Sequence, residues 1–226
     1  MKDPILISNR LNQSDYSGAI STNKVLKNTY LLLAMTIAVS AATCWAGIAL
    51  NVPSWIGLPL LLVSFALLFV INKKANTAAG LYLTFAFTAI MGASLSPLVG
   101  HYTKIPGGGI LVAEALGLTS VIFIGLSAIA MTSKRDFSFM QNFLFMGLII
   151  LVIGGLANMF MQIPALHLAL LCMSAFIMSG LILFDTQRIV RGGETNYILA
   201  TVSLYLSFYN LFTNILQLLG IWNSDD

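Results

Sequence analysis

The sequence has little charge. Only 8% of its 226 residues are Asp, Glu, Lys or Arg, against roughly 25% in a typical soluble domain. Hydrophobic residues make up 58% of the chain, and the mean hydropathy is +0.90. A chain with so few ionic groups cannot cover a surface that faces water on all sides. This composition excludes an ordinary soluble protein and indicates that lipid is the main solvent.

Residues and motifs that carry chemistry are also scarce. Cys44 and Cys172 stand alone in apolar runs and form no C-x-x-C pair, so they indicate neither a disulfide framework nor a zinc site. Glu114, His101 and His167 lack the spacing of metal ligands. The sequence contains no G-x-S-x-G, H-E-x-x-H or phosphate-loop pattern. We therefore expect no enzyme activity, no cofactor and no nucleic-acid partner.

Long apolar runs fill most of the chain. One helical crossing of a membrane needs about 20 apolar residues, and on that basis the sequence predicts seven spans, with turn formers, charge or proline in the breaks between them. We expect an all-α integral membrane protein in which residues 24–226 form a single seven-helix domain. The predicted spans are 28–50, 55–71, 77–99, 110–131, 139–161, 165–184 and 197–222.

The residues before the first span are polar. Residues 1–23 include Lys2, Asp3, Arg10 and Asp15, and such a segment cannot bury enough apolar surface to offset the entropy lost on ordering. We predict a flexible N-terminal tail. Between the last two spans, Gly192 and Gly193 predict a left-handed helix end, and Thr195 or Asn196 a cap for the seventh helix.

Basic residues lie almost entirely on one side of the predicted spans. With the N-terminus inside, ten Lys and Arg residues flank the spans on the cytoplasmic side, and Lys104 is the exception outside. Basic loops are retained in the cytoplasm. We therefore expect the N-terminus in the cytoplasm and the C-terminal Asp225 and Asp226 in the periplasm or an equivalent external space.

Small and polar residues predict contacts between the spans. Ala38, Ala42 and Ala46 lie four apart in the first span and predict close helix packing.

The seventh span carries five polar residues that are spaced four, three, four and three apart. In a helix they lie on one face, within an arc of about 80°. Because unpaired polar groups are costly in hydrocarbon, this face predicts a central helix. Either they form interhelical hydrogen bonds or they line a polar path. They are Ser203, Ser207, Asn210, Asn214 and Gln217.

An acidic residue follows the sixth apolar run. If the helix continues to about Val190, Asp185 lies about one and a half turns inside its cytoplasmic end. It then either forms an i, i+3 pair with Arg188 or is functional, as ionisable residues at membrane depth commonly are. The rise per residue places Asp185 nearest to residues 201–203 of the seventh span.

Several motifs occur near the span ends and in the third and seventh spans. With these motifs the chain resembles the Bax inhibitor-1 (transmembrane Bax inhibitor motif) family over nearly its whole length from about Lys24. The motifs are NKVLKNTY at 23–30, GASLSP at 92–97, TSKRDFS at 132–138, QIPALHL at 162–168, FD at 184–185, RGGETNY at 191–197 and SLYLSFYNLF at 203–212.

This resemblance implies a fold with six helices around a central seventh, and two kinds of function. Some bacterial members bind the membrane-anchored ATP-dependent protease FtsH and restrain its degradation of membrane proteins. Other members are pH-sensitive calcium leaks in which an aspartate of the sixth helix pairs with one of the seventh. Asp185 matches the first aspartate, but Ser207 stands at the second position.

Because Ser207 stands where the leak-forming members have a second aspartate, a calcium leak in this chain would lack the carboxylate pair. Two neighbouring carboxylates share a proton, so that one of them titrates at a raised pKa. A lone Asp185 lacks that repulsion, and calcium prefers six to eight oxygen ligands. We therefore expect at most a weak calcium site, although nearby hydroxyl and amide groups can still donate hydrogen bonds to Asp185.

Together with the absence of catalytic motifs, the resemblance implies a non-enzymatic inner-membrane protein that binds and restrains FtsH, which is the function that we expect. The first alternative is a pH-influenced calcium or cation leak, and the second is a structural partner of other membrane proteins. Besides proteins, the expected partners are membrane lipids and, for a leak, calcium or protons. The residues predicted to form a gate or polar path are Asp185, Arg188, Ser203, Ser207, Asn210 and Asn214.

Overall fold

The computed structural model describes the backbone of residues 4–224 and the side chains of residues 22–223, and in this part the chain forms helices and no strands. A short 3₁₀ helix at Ser54–Ile56 leads into the second of seven α-helices. The α-helices are α1 (Pro4–Ala49), α2 (Gly57–Lys74), α3 (Ala78–Thr103), α4 (Gly108–Thr132), α5 (Met140–Met161), α6 (Pro164–Val190) and α7 (Tyr197–Ser224).

The predicted all-α, seven-span architecture is confirmed. Seven helices of the described chain are long and apolar enough to cross a membrane. Among the C-terminal ends of the helices, the largest difference between the predicted and the observed position is in α6, which continues to Val190 instead of ending at residue 184. It ends where Gly192 takes a φ of +73°, and the Gly193 N–H donates to the Arg188 carbonyl over 2.8 Å. The predicted left-handed end is thus confirmed, because glycine adopts positive φ without steric cost.

Most of the predicted tail consists of residues whose side chains the structure does not describe. Helix α1 begins at Pro4, whereas its stretch suited to crossing a membrane is Thr22–Ala49. The side chains of residues 1–21 are not among those described. That residues 1–23 form a flexible cytoplasmic tail stays a prediction.

Three loops and the start of the first membrane span lie at one end of the bundle. The α4–α5 loop is held beside the α6–α7 loop by Arg191, which donates to the Lys134 and Arg135 carbonyls. The Asn196 side chain accepts hydrogen bonds from the Ile198 and Leu199 N–H groups, capping α7 as predicted. Its amide donates to the Ala75 carbonyl in the α2–α3 loop over 3.1 Å. Gly192 lies close to the Thr22 hydroxyl. The loops that the charge pattern assigns to one side of the membrane therefore meet at one end.

Helix α7 is the most buried of the described spans. In its apolar stretch 67% of the residues are buried, against 39% in α3, the next highest value. It packs against α1, α3, α4 and α6, while α2 packs mainly on α3 and α5 on α6. The polar face of α7 thus lies within the bundle, and the closure of all six other helices around it stays a prediction.

Helices α1 and α3 approach closely through small residues. A Cβ atom at Gly92 would lie 2.1 Å from the Ser40 carbonyl oxygen, and one at Gly47 would lie 2.4 Å from the Ser96 hydroxyl. The prediction that the alanine stripe makes the close contact is wrong. Its three alanines, residues 38, 42 and 46, are exposed, because α1 turns a different face toward its neighbours.

Candidate functional site: a cavity beside α6 and α7

Asp185 lies on α6, five residues before the end of that helix at Val190. Its side chain is buried, with 8% exposed, and the Ser203 hydroxyl of α7 donates a hydrogen bond to its Oδ2 atom. The partner is therefore in the region expected from helical rise. Ser207, which the family pattern places opposite this aspartate, lies one turn deeper along α7.

Arg188 does not pair with Asp185. Its guanidinium donates to the Glu194 carboxylate in the α6–α7 loop, forming an ion pair. In the described part of the chain, Asp185 therefore has a hydrogen bond to a hydroxyl but no salt bridge. The alternative of an i, i+3 ion pair with Arg188 is wrong, because the loop after Gly192 brings a second carboxylate to the arginine.

The predicted polar residues meet around one cavity of about 630 Å³ between α2, α5, α6 and α7. The wall formed by α7 is polar, whereas α2 and α5 contribute mainly apolar side chains such as Phe65, Leu148 and Val152. Phe65 and Val152 are also exposed at the protein surface. The predicted residues that line the cavity are Asp185, Arg188, Ser203, Ser207 and Asn210.

Asn214, the sixth predicted residue, joins the same group through a neighbour. Its side-chain amide donates to the Ser174 hydroxyl of α6 over 2.7 Å, and Ser174 lines the cavity. Asn210 donates to the Leu206 carbonyl of its own helix. The polar face of α7 therefore forms interhelical hydrogen bonds at Ser203 and Asn214 and leaves the Ser207 hydroxyl between them without a described partner.

The cavity offers oxygen atoms on one side only. Hydroxyl and amide oxygens lie along two turns of α7, from Ser203 to Asn210, beside the Asp185 carboxylate of α6. Among the lining residues only Asp185 carries a carboxylate, whereas tight calcium sites use several. Among the described residues, no group of three or more His, Cys, Asp and Glu side chains is placed to hold a metal ion.

A second polar cluster fastens the α4–α5 loop to the end of α6. The Gln187 amide donates to the Arg135 carbonyl over 2.5 Å, and its oxygen accepts from the Phe137 N–H over 2.7 Å. Arg191 donates to the Arg135 carbonyl over 2.7 Å and pairs with Asp136 over 3.3 Å. Neither Gln187 nor Glu194 could be predicted from the sequence as a site residue, because each interaction depends on the path of a loop, the α4–α5 loop for Gln187 and the α6–α7 loop for Glu194.

The carboxylate of this loop is held in its charged form. Hydrogen bonds from Ser138, first from its side chain and then from its backbone N–H, lower the pKa of Asp136, and the charge of Arg191 lowers it further. A lowered folded-state pKa means that the carboxylate stabilises the loop above the ordinary aspartate pKa. This contribution is lost as the pH falls through the lowered value.

The chain is similar to known proteins over nearly its whole length. The family model described as "Inhibitor of apoptosis-promoting Bax1" matches residues 22–224. An uncharacterized membrane protein of Vibrio cholerae is 50% identical over 214 residues, covering 94% of this chain and 96% of that protein. The Escherichia coli protein named "Modulator of FtsH protease YccA" is 45% identical over 212 residues, covering 93% and 96% of the two chains.

A third relative extends the range of bacteria. An uncharacterized protein of Pseudomonas aeruginosa is 40% identical over 202 residues, which cover 89% of this chain and 91% of that one. The matches therefore span the described helices almost completely and not one motif alone. With its seven apolar helices, this chain is a multi-pass membrane protein that belongs to the Bax inhibitor-1 family.

Proposed function

We propose that this protein resides in a bacterial inner membrane, binds the protease FtsH and restrains its degradation of membrane proteins. The observation that carries the proposal is its 45% identity over 93% of the chain with the E. coli protein named as a modulator of that protease. A protein named "Inner membrane protein YccA" from a second E. coli strain shows the same identity and supports the location.

The proposed mechanism assigns different roles to the tail and the bundle. A flexible tail of 23 residues extends about 25 Å from the membrane, at about 5–6 Å × √n. A helix from Pro4 to Thr22 would extend about 27 Å, at 1.5 Å per residue. Either form presents chain to a protease at the membrane surface, while the tightly packed bundle resists extraction. The protease is then occupied without completing degradation.

Deletion of residues 2–21 tests this mechanism. We expect the full chain to co-purify with FtsH and to lengthen the half-life of a membrane-protein substrate severalfold when overproduced. The deletion variant, which keeps the whole Thr22–Ala49 span, should lose most of that effect. The measurements are pull-down from solubilised membranes and pulse–chase of the substrate.

The matched control carries a scrambled sequence of the same composition at 2–21. We expect it to retain the effect, because the mechanism needs accessible chain and not a particular sequence. Binding with no change in substrate half-life would favour a purely structural partner. Absence of FtsH from the purified complex would overturn the proposal.

A second candidate function is a cation leak, which the cavity beside Asp185 favours. The proposed path follows Ser203, Ser207 and Asn210, which line that cavity together with the aspartate. Asp185 would attract cations, and its hydrogen bond from Ser203 would be broken and remade as ions pass. Since the cavity lining carries a single carboxylate, the leak would be of low affinity.

Calcium flux into proteoliposomes tests the leak. We expect Asp185→Asn to reduce the flux at least tenfold, because the substitution removes the carboxylate charge from the cavity lining while nearly preserving the shape of the side chain. Asp136→Asn is the matched control, since Asp136 lies in the exposed α4–α5 loop outside the cavity. Equal flux in the two variants, or no flux at any pH, would exclude this function.

A further inference from the structure

A second cavity, open on one side, lies on the other side of α7. It has a volume of about 200 Å³ and is lined by residues of α1, α3, α4 and α7. Tyr205 and Phe208 of α7 contribute to its wall, whereas Ser203 and Ser207 face the cavity beside Asp185. The two cavities share no lining residue, so this one is separate from the candidate site described above.

The wall of this cavity, which we call the α1–α4 cavity, is almost entirely hydrocarbon. Its hydroxyl groups are already paired. The Ser40 and Tyr205 hydroxyls hydrogen-bond to each other over 2.8 Å, and the Tyr209 hydroxyl bonds to Ser94 over 3.4 Å. Apolar cavities of about 150 Å³ remain dry and take up apolar molecules. The α1–α4 cavity is therefore suited to an apolar occupant and not to water.

The mouth of the cavity faces the lipid. Trp45 of α1 and Leu116 of α4 line the cavity, and their side chains are 74% and 45% exposed. Both lie within membrane-spanning segments, where the surrounding solvent is acyl chains. Helices α1 and α4 each pack against α3 and α7 but not closely against each other, which leaves an opening between them.

The length of the cavity matches one leaflet. Its lining on α1 runs from Ile37 to Ile48, a distance of about 16 Å at 1.5 Å per residue. Half of a hydrocarbon core of about 30 Å is about 15 Å. Val99, near the end of α3, and Val112, near the start of α4, also line it, so it lies in the leaflet at the α3–α4 loop.

We propose that the α1–α4 cavity binds one acyl chain of a phospholipid from that leaflet. The chain enters between α1 and α4 and contacts Tyr205, Phe208 and Phe212, which are buried from the outer surface of the bundle. It fills apolar space that would otherwise lack van der Waals partners. This lipid binds independently of the function proposed for the protein.

Photocrosslinking tests the proposal. The full chain is reconstituted into vesicles that contain a phosphatidylethanolamine with a diazirine at mid-chain, and adducts are mapped by mass spectrometry. We expect adducts on Tyr205, Phe208 or Phe212, in addition to those on Phe176, whose 68% exposed side chain reports ordinary contact with surrounding lipid. Adducts confined to outward-facing residues such as Phe176 would overturn the proposal.

Filling the cavity provides the decisive comparison. Ala41 lines it whereas Ala42 does not, and both are exposed on α1. We expect Ala41→Phe to reduce the internal adducts at least fivefold relative to Phe176, and Ala42→Phe to leave them unchanged. Val112→Phe fills the cavity from α4 and serves as a second variant if Ala41→Phe does not fold. Unchanged internal adducts in the filled variants, or co-purification of a different apolar molecule in the cavity, would contradict acyl-chain binding.

Discussion

Replacing Gly92 with alanine should markedly lower the thermal stability of the bundle. The added Cβ atom would lie 2.1 Å from the Ser40 carbonyl oxygen and 2.3 Å from the Thr43 hydroxyl. The carbonyl belongs to the α1 backbone, so no side-chain rotation relieves the overlap. Helices α1 and α3 must then move apart, and overpacking of this kind typically costs about 1–3 kcal/mol, occasionally more. The measurement is the midpoint of thermal unfolding in detergent.

Gly125→Ala is the matched control for this substitution. Gly125 lies in the middle of α4, and an added Cβ atom there would have no atom within 4 Å. Alanine is favoured over glycine in a helix interior by up to about 1 kcal/mol, so we expect an unchanged or slightly raised midpoint. If Gly92→Ala were as stable as Gly125→Ala, the close contact between α1 and α3 would be refuted.

Replacing Gln187 with alanine should release the α4–α5 loop. The Gln187 side chain is buried and makes two hydrogen bonds to the backbone of that loop. Losing both hydrogen bonds removes about 2 kcal/mol of local stability. This corresponds to roughly a thirtyfold rise in the fraction of molecules in which the α4–α5 loop is detached from α6. Trypsin cleaves after Lys134 and Arg135, so we expect cleavage there to accelerate by a similar factor.

The experiment is performed on sealed vesicles of each orientation. Cleavage should occur only when the enzyme reaches the cytoplasmic face, because the charge pattern predicts this loop inside. Gln217→Ala is the control, since the Gln217 amide donates to Thr213 of its own helix and touches no loop. Equal cleavage rates in both variants would show that Gln187 does not hold the loop, and cleavage from the outer face would reverse the predicted orientation.

The spans, their breaks and the polar face of α7 could be predicted because each depends on residues close in sequence. An apolar run of sufficient length becomes a spanning helix irrespective of its neighbours. The left-handed end at Gly192 and the cap from Asn196 depend on local conformational preference. The polar positions of α7 lie on one face because the helix repeats every 3.6 residues, and lipid excludes such a face from the surface.

Partners that are distant in the chain could not be predicted in the same way. Arg188 lies three residues from Asp185, but its carboxylate partner is Glu194, because the loop path after Gly192 decides which acid reaches the guanidinium. The alanine stripe of α1 has the spacing of a packing face and yet is exposed. Periodicity shows which residues share a face of a helix, but it does not show which face meets a neighbour.

The two cavities also arise only from the packed bundle. Ser203 and Tyr205 are two residues apart on α7, yet they line different cavities, because the helix turns them toward different neighbours. Hydrophobicity and helical period therefore determine that this chain is a seven-helix membrane protein with a polar seventh span. Which side chains meet, and where space remains between the helices, is decided by the tertiary structure, since those distances depend on how several helices pack at once.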